Sequence, residues 1–449
     1  MSAELPPLAL YFGTVQRPEF YAGLLGGASA LGLLLDEGTP HTLEPPEFDF
    51  VEKFDFSRGA GAIARRIEEI RGRYRLECVL NVDETLVPLW SEVCALLGLR
   101  GMTPAAATAV RSKSEMRRRF AERIGIESSA RSHVVTDEAG LLRFAAGTGY
   151  PVILKPGNLW GSYFVSLCAD ADELTAAYRQ VRDTLPAFSE QQRVSGVPVE
   201  ILAEEYLPGT NHSVECLVLD GEVWTTPVID VVTGTDLGGT DFHHFARVTA
   251  TRLTADQQER MRALAGEAVR ALDVDRGLLH VEFVQGPGGP RLIEAGGRPG
   301  ANRAPLLREA FGINIIAGYR DVMRGVRPDV TPARDGAAAV VTPYPAHAGR
   351  LRSYRTLEAI RALPSTVQVD TYKQPGDVVR PRHEGVAAPV RIEMRAASPE
   401  RLSADLRELT ALCEELFEVF PEDAEDSEAA VDAVAAVDAE DAEVSGATG

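Results

Sequence analysis

At 449 residues the chain is too long for one small core and implies roughly two to four domains. Its net charge of −20 argues against a nucleic-acid binder, because phosphate recognition needs clustered cations. About half of that excess sits in residues 421–449, which hold ten carboxylates and no Lys or Arg. This segment reads as a self-repelling, disordered tail on a mildly acidic body. Cys78, Cys94, Cys168, Cys216 and Cys413 form no CxxC pair, which fits buried thiols in a reducing cytoplasm better than disulfides or a zinc site. The start "MSAELPPLAL" lacks a basic n-region, and the most apolar run, Leu24 to Leu35, is shorter than the ~20 residues that span a bilayer. A cytoplasmic protein without membrane anchoring is the expectation.

The first hundred residues alternate strand and helix. "PLALYF" (7–12) predicts a strand, "EFYAGLLGGASALGLLLDEG" (19–38) a helix ended by Gly38, "LECVLN" (76–81) a buried strand, and "ETLVPLWSEVCALLGL" the next helix. That βαβ rhythm points to a parallel sheet covered by helices. "AVRSKSEMRRRFAER" (109–123) predicts one basic helix. "YPVILKPGNLWGSYFVSL" (150–167) reads as strand, glycine-containing loop, strand, and residues 199–230 as three strands joined by "PGTN" and "DG" turns. A helix over 254–272 precedes a hairpin, "HVEFVQGPGGPRLIEAGGRPGANRAP" (280–305), and a further helical stretch covers 304–325. Residues 331–420 form another α+β stretch that contains "TVQVDTYKQPGDVV" (366–379) and an amphipathic helix at 398–418.

The hairpin carries the most pointed chemistry. Glu282 and Glu294 share a face if the loop has an odd number of residues, for instance 285–291, and lie on opposite faces with a six-residue loop. The apolar pattern favours the odd loop, which stacks Ile293 on the Val281/Phe283 face. Two carboxylates held that close call for a raised pKa or a bound cation, and hard oxygen ligands suit Mg²⁺. Alone, the hairpin is as readily a solvated surface feature. Arg298, in a loop with three glycines, can neutralise a transferring phosphoryl group or hold a carboxylate in a fork. Lys155 ends an apolar strand, and Gly157, Gly161 and Ser162 after it offer backbone contacts to phosphate. Lys113 lies in the basic stretch. In "EEYLPG", Glu204 is suited to an adenine amine, and main-chain groups at Glu205 and Leu207, beside Tyr206, to the edge of a purine.

Taken in order, Lys113, Lys155 with its glycine loop, "EEYLPG" and "HVEF...RLIEAGGRPG" resemble the ATP-grasp superfamily of carboxylate–amine ligases over residues 109–325. "EAGGRPGANRAP" and "FHHFARVTATRLTADQQ" resemble the bacterial L-amino-acid ligases, or dipeptide synthetases, within it. "KQPGDVV" (373–379) is similar to their C-terminal lobe. The resemblance implies an α/β and α+β architecture: an N-terminal Rossmann-like domain (1–100), an ATP-grasp domain (101–330) with a mobile lid subdomain at about 145–205, and a C-terminal α+β lobe (331–420) before the tail. It implies that Lys113 and Lys155 touch ATP phosphates, that residues 157–164, including Gly161 and Ser162, form the flap, and that Glu204, Glu205, Tyr206 and Leu207 hold adenine. Glu282 and Glu294 would bind Mg²⁺ or Mn²⁺, and Arg298 would stabilise an acyl phosphate and the tetrahedral species that follows when an amine attacks it. The partners implied are a small-molecule carboxylate and an amine, and family members are often dimers.

Four positions depart from the pattern. Gly296 stands where many relatives have asparagine two residues after the second metal glutamate. Asn211 stands where a ribose-binding carboxylate is expected, with Glu215 further on. Arg247 stands where a ligase has a substrate histidine, with His243 and His244 close by. Ala301, before Asn302, replaces a bulky residue and implies a roomier acyl pocket. Other expectations are a biotin-carboxylase-like or purine-biosynthetic enzyme, or a nucleotide-binding protein on a decayed ligase scaffold. No biotinyl segment is visible, and retention of both lysines, both glutamates and Arg298 argues against decay.

Overall fold

The computed structural model describes residues 5–13, 18–26, 29–38, 48–159, 161–191, 199–239, 241–382 and 388–421. From residue 422 onward the acidic stretch expected to be disordered lies outside the described residues. Among the described residues no helix is long and apolar enough to cross a membrane.

Strands β1 (Pro7–Phe12), β2 (Ala30–Asp36), β3 (Phe50–Phe54) and β4 (Arg75–Asn81) form a parallel sheet in the order β3-β2-β1-β4. The single helix expected over 19–38 is instead α1 (Pro18–Leu25) followed by β2. Gly26 takes a positive φ of 65° and ends the helix, and Leu33, Leu34 and Leu35 are all fully buried. A run buried on both faces is the signature of a central parallel strand, and periodicity alone cannot tell it from a buried helix. Gly32 is bare because the Phe50 ring lies 2.4 Å from where its Cβ would stand. Helices α2 (Ala60–Arg71) and α3 (Val87–Leu96) cover this sheet, and buried Trp90 donates from Nε1 to the Val79 carbonyl at 3.0 Å.

The basic stretch of 109–123 is two helices, α4 (Pro104–Arg111) and α5 (Lys113–Arg123). Ser112 sits between them in an extended conformation and its side chain accepts from the Glu115 amide. The S-x-x-E spacing is a helix-start signal that overrides continuity of the basic pattern. The break turns Arg111 and Lys113 inward, where both are buried.

A four-stranded antiparallel sheet, ordered β5-β8-β6-β7, joins β5 (Ser132–Val134), β6 (Val152–Pro156), β7 (Ser166–Cys168) and β8 (Ile201–Glu205). Helices α6 (Glu138–Thr148) and α7 (Ala171–Gln191) pack on it through Leu141, Ala145, Leu174 and Val181. The chain leaves this sheet through Gly209, whose Cβ would fall 2.3 Å from the Gln285 carbonyl oxygen.

The largest sheet contains β9 (Thr210–Leu219), β10 (Glu222–Thr225), β11 (Ile229–Thr233), β12 (His244–Val248), β13 (Arg276–Gly286), β14 (Gly289–Gly296) and β15 (Ala337–Val341), with α8 (Ala255–Ala271), α9 (Arg303–Phe311) and α10 (Ile315–Arg324) packed against it. After β16 (Gly349–Tyr354) and α11 (Leu357–Ala362) come β17 (Thr366–Thr371), β18 (Val378–Val379), β19 (Val390–Ala396), α12 (Pro399–Glu414) and β20 (Phe417–Pro421). Strands β15, β19 and β17 continue the large sheet in the order β14-β13-β9-β11-β12-β15-β19-β17, and β10 pairs with β9. Residues 331–420 therefore share a sheet with the preceding region, although they pack a second apolar core of Ile360, Leu363, Ile392, Leu402 and Leu409.

Glu282 and Glu294 are register partners on β13 and β14, but not through an odd loop. Gly286 pairs with Gly289, so the turn is only Pro287 and Gly288, an even count. A register shift between Glu282 and Phe283 leaves Ile293 as an extra residue and restores the pairing of the carboxylates. Consequently Leu292, not Ile293, lies opposite Phe283.

Replacing Gly209 with alanine is expected to destabilise the protein by on the order of 2 kcal/mol, since it adds both a clash and a strained φ. A lowered thermal-unfolding midpoint would register this.

Candidate active site

Opposed residues of antiparallel strands share a face, so Glu294, Glu282 and Ser213 lie in a row across β14, β13 and β9. Alternation extends the row to His280, Glu215 and Asn211, and the pairings Asn211 with Val231 and Val231 with Arg247 carry it to β12. One sheet face thus collects Glu294, Glu282, Glu215, Asn211 and Arg247 from among the polar groups that the sequence singles out.

At its acidic end, His280 bridges two carboxylates. Its Nδ1 lies 2.5 Å from Glu215 Oε1 and its Nε2 lies 2.9 Å from Glu282 Oε1. Glu215 Oε2 accepts from the Gly300 amide at 2.9 Å, which ties the glycine loop to β9. Burial acts to raise the Glu282 carboxyl, but His280 and His244 outweigh it and hold the group well below its ordinary value. Burial likewise acts to lower His280, and the Glu215 carboxylate reverses this. His244 Nε2 reaches to 3.8 Å from Glu282 Oε1, and burial keeps its imidazole well below the usual range.

Cations from the facing elements close on this row. Lys113, the first residue of α5, donates from Nζ to Glu294 Oε1 at 3.1 Å and to the Leu159 carbonyl at 2.6 Å. Lys155, at the end of β6, lies 2.7 Å from Glu204 Oε2, and Arg117 Nε lies 2.9 Å from Glu204 Oε1. Burial acts to raise Glu204, but Arg117 and Lys155 together hold it at about 2. Burial pushes Lys155 down, with Glu204 opposing.

Arg298 is held by the N-terminal unit. Its Nε lies 2.9 Å from Glu84 Oε2, and Arg111 Nη1 donates to Glu84 Oε1 at 3.0 Å. Glu84 follows β4 at the carboxyl end of the parallel sheet, beside the point where strand order reverses, which is where such sheets bind ligands. Burial acts to raise Glu84, but Arg298 and Arg111 bring it below its ordinary value. The departure at Gly296 has a steric cause: a Cβ there would stand 2.9 Å from Glu84 Oε2.

The loop after Lys155 reaches the opposite side of the cleft. Gly161 and Ser162 both take positive φ; the Gly161 carbonyl accepts from Arg382 Nη2 at 2.6 Å, and Ser162 Oγ donates to the Phe242 carbonyl at 3.1 Å. The Arg382 guanidinium also lies over the Tyr163 ring, 5.2 Å from its centroid.

Lys113, Lys155, Glu204, Glu282, Glu294 and Arg298 therefore form a connected set with their partners. Glu205, next to Glu204, points the other way to Arg131 and Arg291, while Tyr206 and Leu207 are half-buried where the chain leaves β8. Asn302 takes a left-handed conformation before α9 and accepts from Arg391 Nε at 3.0 Å. Arg247 donates to Thr342 Oγ1 at 2.8 Å. His243 turns away to Asp241 and Tyr344, and Ala301 is exposed. Sequence reasoning missed Glu84, Arg111, Arg117, His280, Arg303 and Arg391. His280 and Arg303 lie inside the quoted hairpin segment, and "NVDE" at the end of a parallel strand was the available signal for Glu84.

Among the described residues no group of three or more His, Cys, Asp or Glu side chains gathers as a protein-only metal cage. The donor set nevertheless fits Mg²⁺. Glu282 and Glu294 present opposed carboxylates whose side chains keep 22% and 20% exposure, and the contacts described for both run through Oε1. One or two carboxylates completed by water and substrate phosphate is the usual Mg²⁺ arrangement.

Comparison with known proteins agrees with this geometry. Residues 148–304 match the family described as the ATP-grasp domain. The alanine–anticapsin ligase of Bacillus subtilis is 25% identical over 297 residues, covering 62% of this chain and 61% of that protein. Carnosine synthase 1 of Gallus gallus is 27% identical over 281 residues, covering 60% of this chain and 30% of its own length. The chain therefore matches less than two thirds of the length of either relative. A solved L-amino acid ligase from Bacillus licheniformis has the same fold, with a TM-score of 0.76 at 17% identity, covering 94% of this chain and 100% of that one.

The Glu204 ion pairs give a pH-dependent prediction. Because the folded carboxyl sits near 2, below its ordinary 4.5, their stabilisation is fully present above pH 4.5 and is lost as pH falls toward 2. Glu204→Gln leaves Lys155 and Arg117 buried without their anion, at a cost of about 3 kcal/mol at pH 7. Denaturant titrations should show the gap from the native protein closing between pH 4.5 and 2.

Proposed function

We propose that this chain, whose residues 148–304 match the ATP-grasp domain, is an ATP-dependent carboxylate–amine ligase that joins an amino acid or similar carboxylate to an amine and releases ADP and phosphate. The observation that carries this reading is the register pairing of Glu282 with Glu294, with Lys113 on one carboxylate and Arg298 close by in the following loop. The alanine–anticapsin ligase and L-amino acid ligase relatives support the amide-forming direction.

In this reading Lys113 and Lys155 hold phosphate oxygens of ATP, and Glu204, Glu205, Tyr206, Leu207 and Asn211 line the nucleoside end. Glu282 and Glu294 would hold Mg²⁺, and the ion, when bound, would supply charge neutralisation for the transferring phosphoryl group. A substrate carboxylate oxygen attacks the γ-phosphorus, the bond to the β-phosphate oxygen breaks, and ADP departs from an acyl phosphate. The amine nitrogen then attacks the acyl carbon, phosphate leaves with the former carboxylate oxygen, and the amine loses a proton. Arg298, held rigidly by Glu84, stabilises the negative charge that develops in both steps. Residues 157–164, of which Trp160 lies outside the described residues, act as the flap, and the bonds of Gly161 to Arg382 and of Ser162 to Phe242 help it to keep water from the acyl phosphate. His244, Arg247, Ala301 and Asn302 border the acyl substrate, while His243, turned toward Asp241 and Tyr344, does not. The division of labour is an N-terminal unit of 1–100, an ATP-grasp unit of 101–330 with its lid, and a C-terminal lobe of 331–420.

Glu294→Gln is expected to lower Mg²⁺-dependent ADP release by at least about 100-fold with the fold intact by circular dichroism; unchanged release would remove the metal assignment. Arg298→Ala should reduce kcat by about 100-fold or more and change ATP affinity only a few-fold. Weaker ATP binding at undiminished kcat would instead assign Arg298 to the nucleotide.

A further inference from the structure

A guanidinium stays charged in proteins, and a buried charge is costly without a counter-charge. The cleft mostly obeys this rule. Lys113 has Glu294, Lys155 and Arg117 share Glu204, Arg111 and Arg298 share Glu84, and Arg391 has Glu393 and Asp370. Two arginines do not. Arg303, 1% exposed, donates from Nε to Ser213 Oγ at 3.1 Å and from Nη1 to the Ala301 carbonyl at 2.9 Å, both neutral. Arg247 donates to the neutral Thr342 Oγ1. Arg303 Nη2 and Arg247 Nε are buried and have no hydrogen-bond partner among the described residues.

These two groups belong to one place. Ser213, which holds Arg303, and Arg247 lie on the same sheet face through the pairings of β9, β11 and β12. Burial, followed by the charge of Arg303, pushes Arg247 down to about 9. Glu215 and Glu282, the carboxylates whose charge acts on Arg303, are already hydrogen-bonded to His280. Arg303 also starts α9, five residues after Arg298, and feels the charges of Glu282 and Arg298, so the pair borders the proposed reacting centre.

We propose that Arg247 and Arg303 form a subsite for a substrate carboxylate other than the one that is activated. This rests on the ligase reading, in which Arg298 serves the reacting carboxyl. The bound anion is either the side-chain carboxylate of an acidic amino acid used as the acid substrate, or the α-carboxylate of an amino acid used as the amine. Asn302, oriented by Arg391, stands between Arg303 and the glycine loop and supplies a neutral contact beside the pair.

The test uses the full chain with Mg·ATP and reads kcat/KM for ADP release. In one arm, glutamate and aspartate are compared with glutamine and asparagine as acids, with hydroxylamine as an acceptor that lacks a carboxylate. In the other, amino acids are compared with their α-amides as acceptors for a fixed acid. Removing the negative charge is expected to lower kcat/KM by about 100-fold in one arm, which identifies the source. Arg247→Gln and Arg303→Gln should each shrink that ratio to a few-fold and leave KM for ATP unchanged. Indifference to charge in both arms of the native protein overturns the proposal, as does a preference that survives both substitutions, while amide formation would still support the ligase. If no acid elicits ADP release, the ligase reading fails on its own, and calorimetry with glutarate against glutaramate in Mg·ADP decides the subsite. Tighter binding of the dianion supports it there, and equal or absent binding overturns it.

Discussion

A charge buried in a cleft is costly unless an opposite one offsets it, and most of the ions in this cleft draw their partners from different parts of the chain. Glu84 of the parallel sheet holds Arg298 of the glycine loop, Lys113 of α5 holds Glu294 of β14, and Lys155 of β6 shares Glu204 with Arg117 of α5. Removing either member of such a pair leaves an uncompensated buried charge, which costs several kcal/mol. The contacts that orient the site are therefore also contacts that hold distant segments of the chain together. On the proposed reading the Lys113–Glu294 pair is a stand-in: a phosphate oxygen of ATP would take over Lys113, and Glu294 would be free to hold Mg²⁺.

The second constraint is backbone register. A two-residue turn at Pro287 and Gly288 would by itself put Glu282 and Glu294 out of phase, and the extra residue Ile293 brings them back. The bulge also frees the Ile293 carbonyl, which accepts from Arg117 Nη2 at 2.6 Å. One irregular residue thus aligns the carboxylates and anchors the cation that organises Glu204. Such bulges recur beside active sites because they re-aim side chains without changing the sheet.

The order of the site-bearing segments is legible in the sequence, because strand-end lysines, glycine loops and a two-glutamate hairpin are local patterns. Errors arise where a local signal is ambiguous. Leu31 to Leu35 is apolar at every position but Gly32, so its period cannot choose between helix and strand, and only pairing with β1 decides it. Ser112 carried a readable cap within a stretch whose charge pattern suggested continuity. Alternation favours an odd loop and so reaches the facing of the two carboxylates by the wrong route, since the turn is even and a bulge leaves no mark in alternation. What sequence could not supply were the long-range partners. Glu84 precedes Arg298 by 214 positions, and no local pattern says that one carboxylate would hold two arginines and exclude a side chain at Gly296.

The central claim is that a carboxylate oxygen attacks the terminal phosphorus at the Glu282/Glu294 end of the cleft, and oxygen tracing tests it most directly. With an acid substrate labelled with ¹⁸O in its carboxylate, each amide formed should release one inorganic phosphate carrying a single ¹⁸O. Unlabelled phosphate, or label transferred to AMP, would contradict an acyl phosphate and with it the roles given to Arg298 and the paired glutamates.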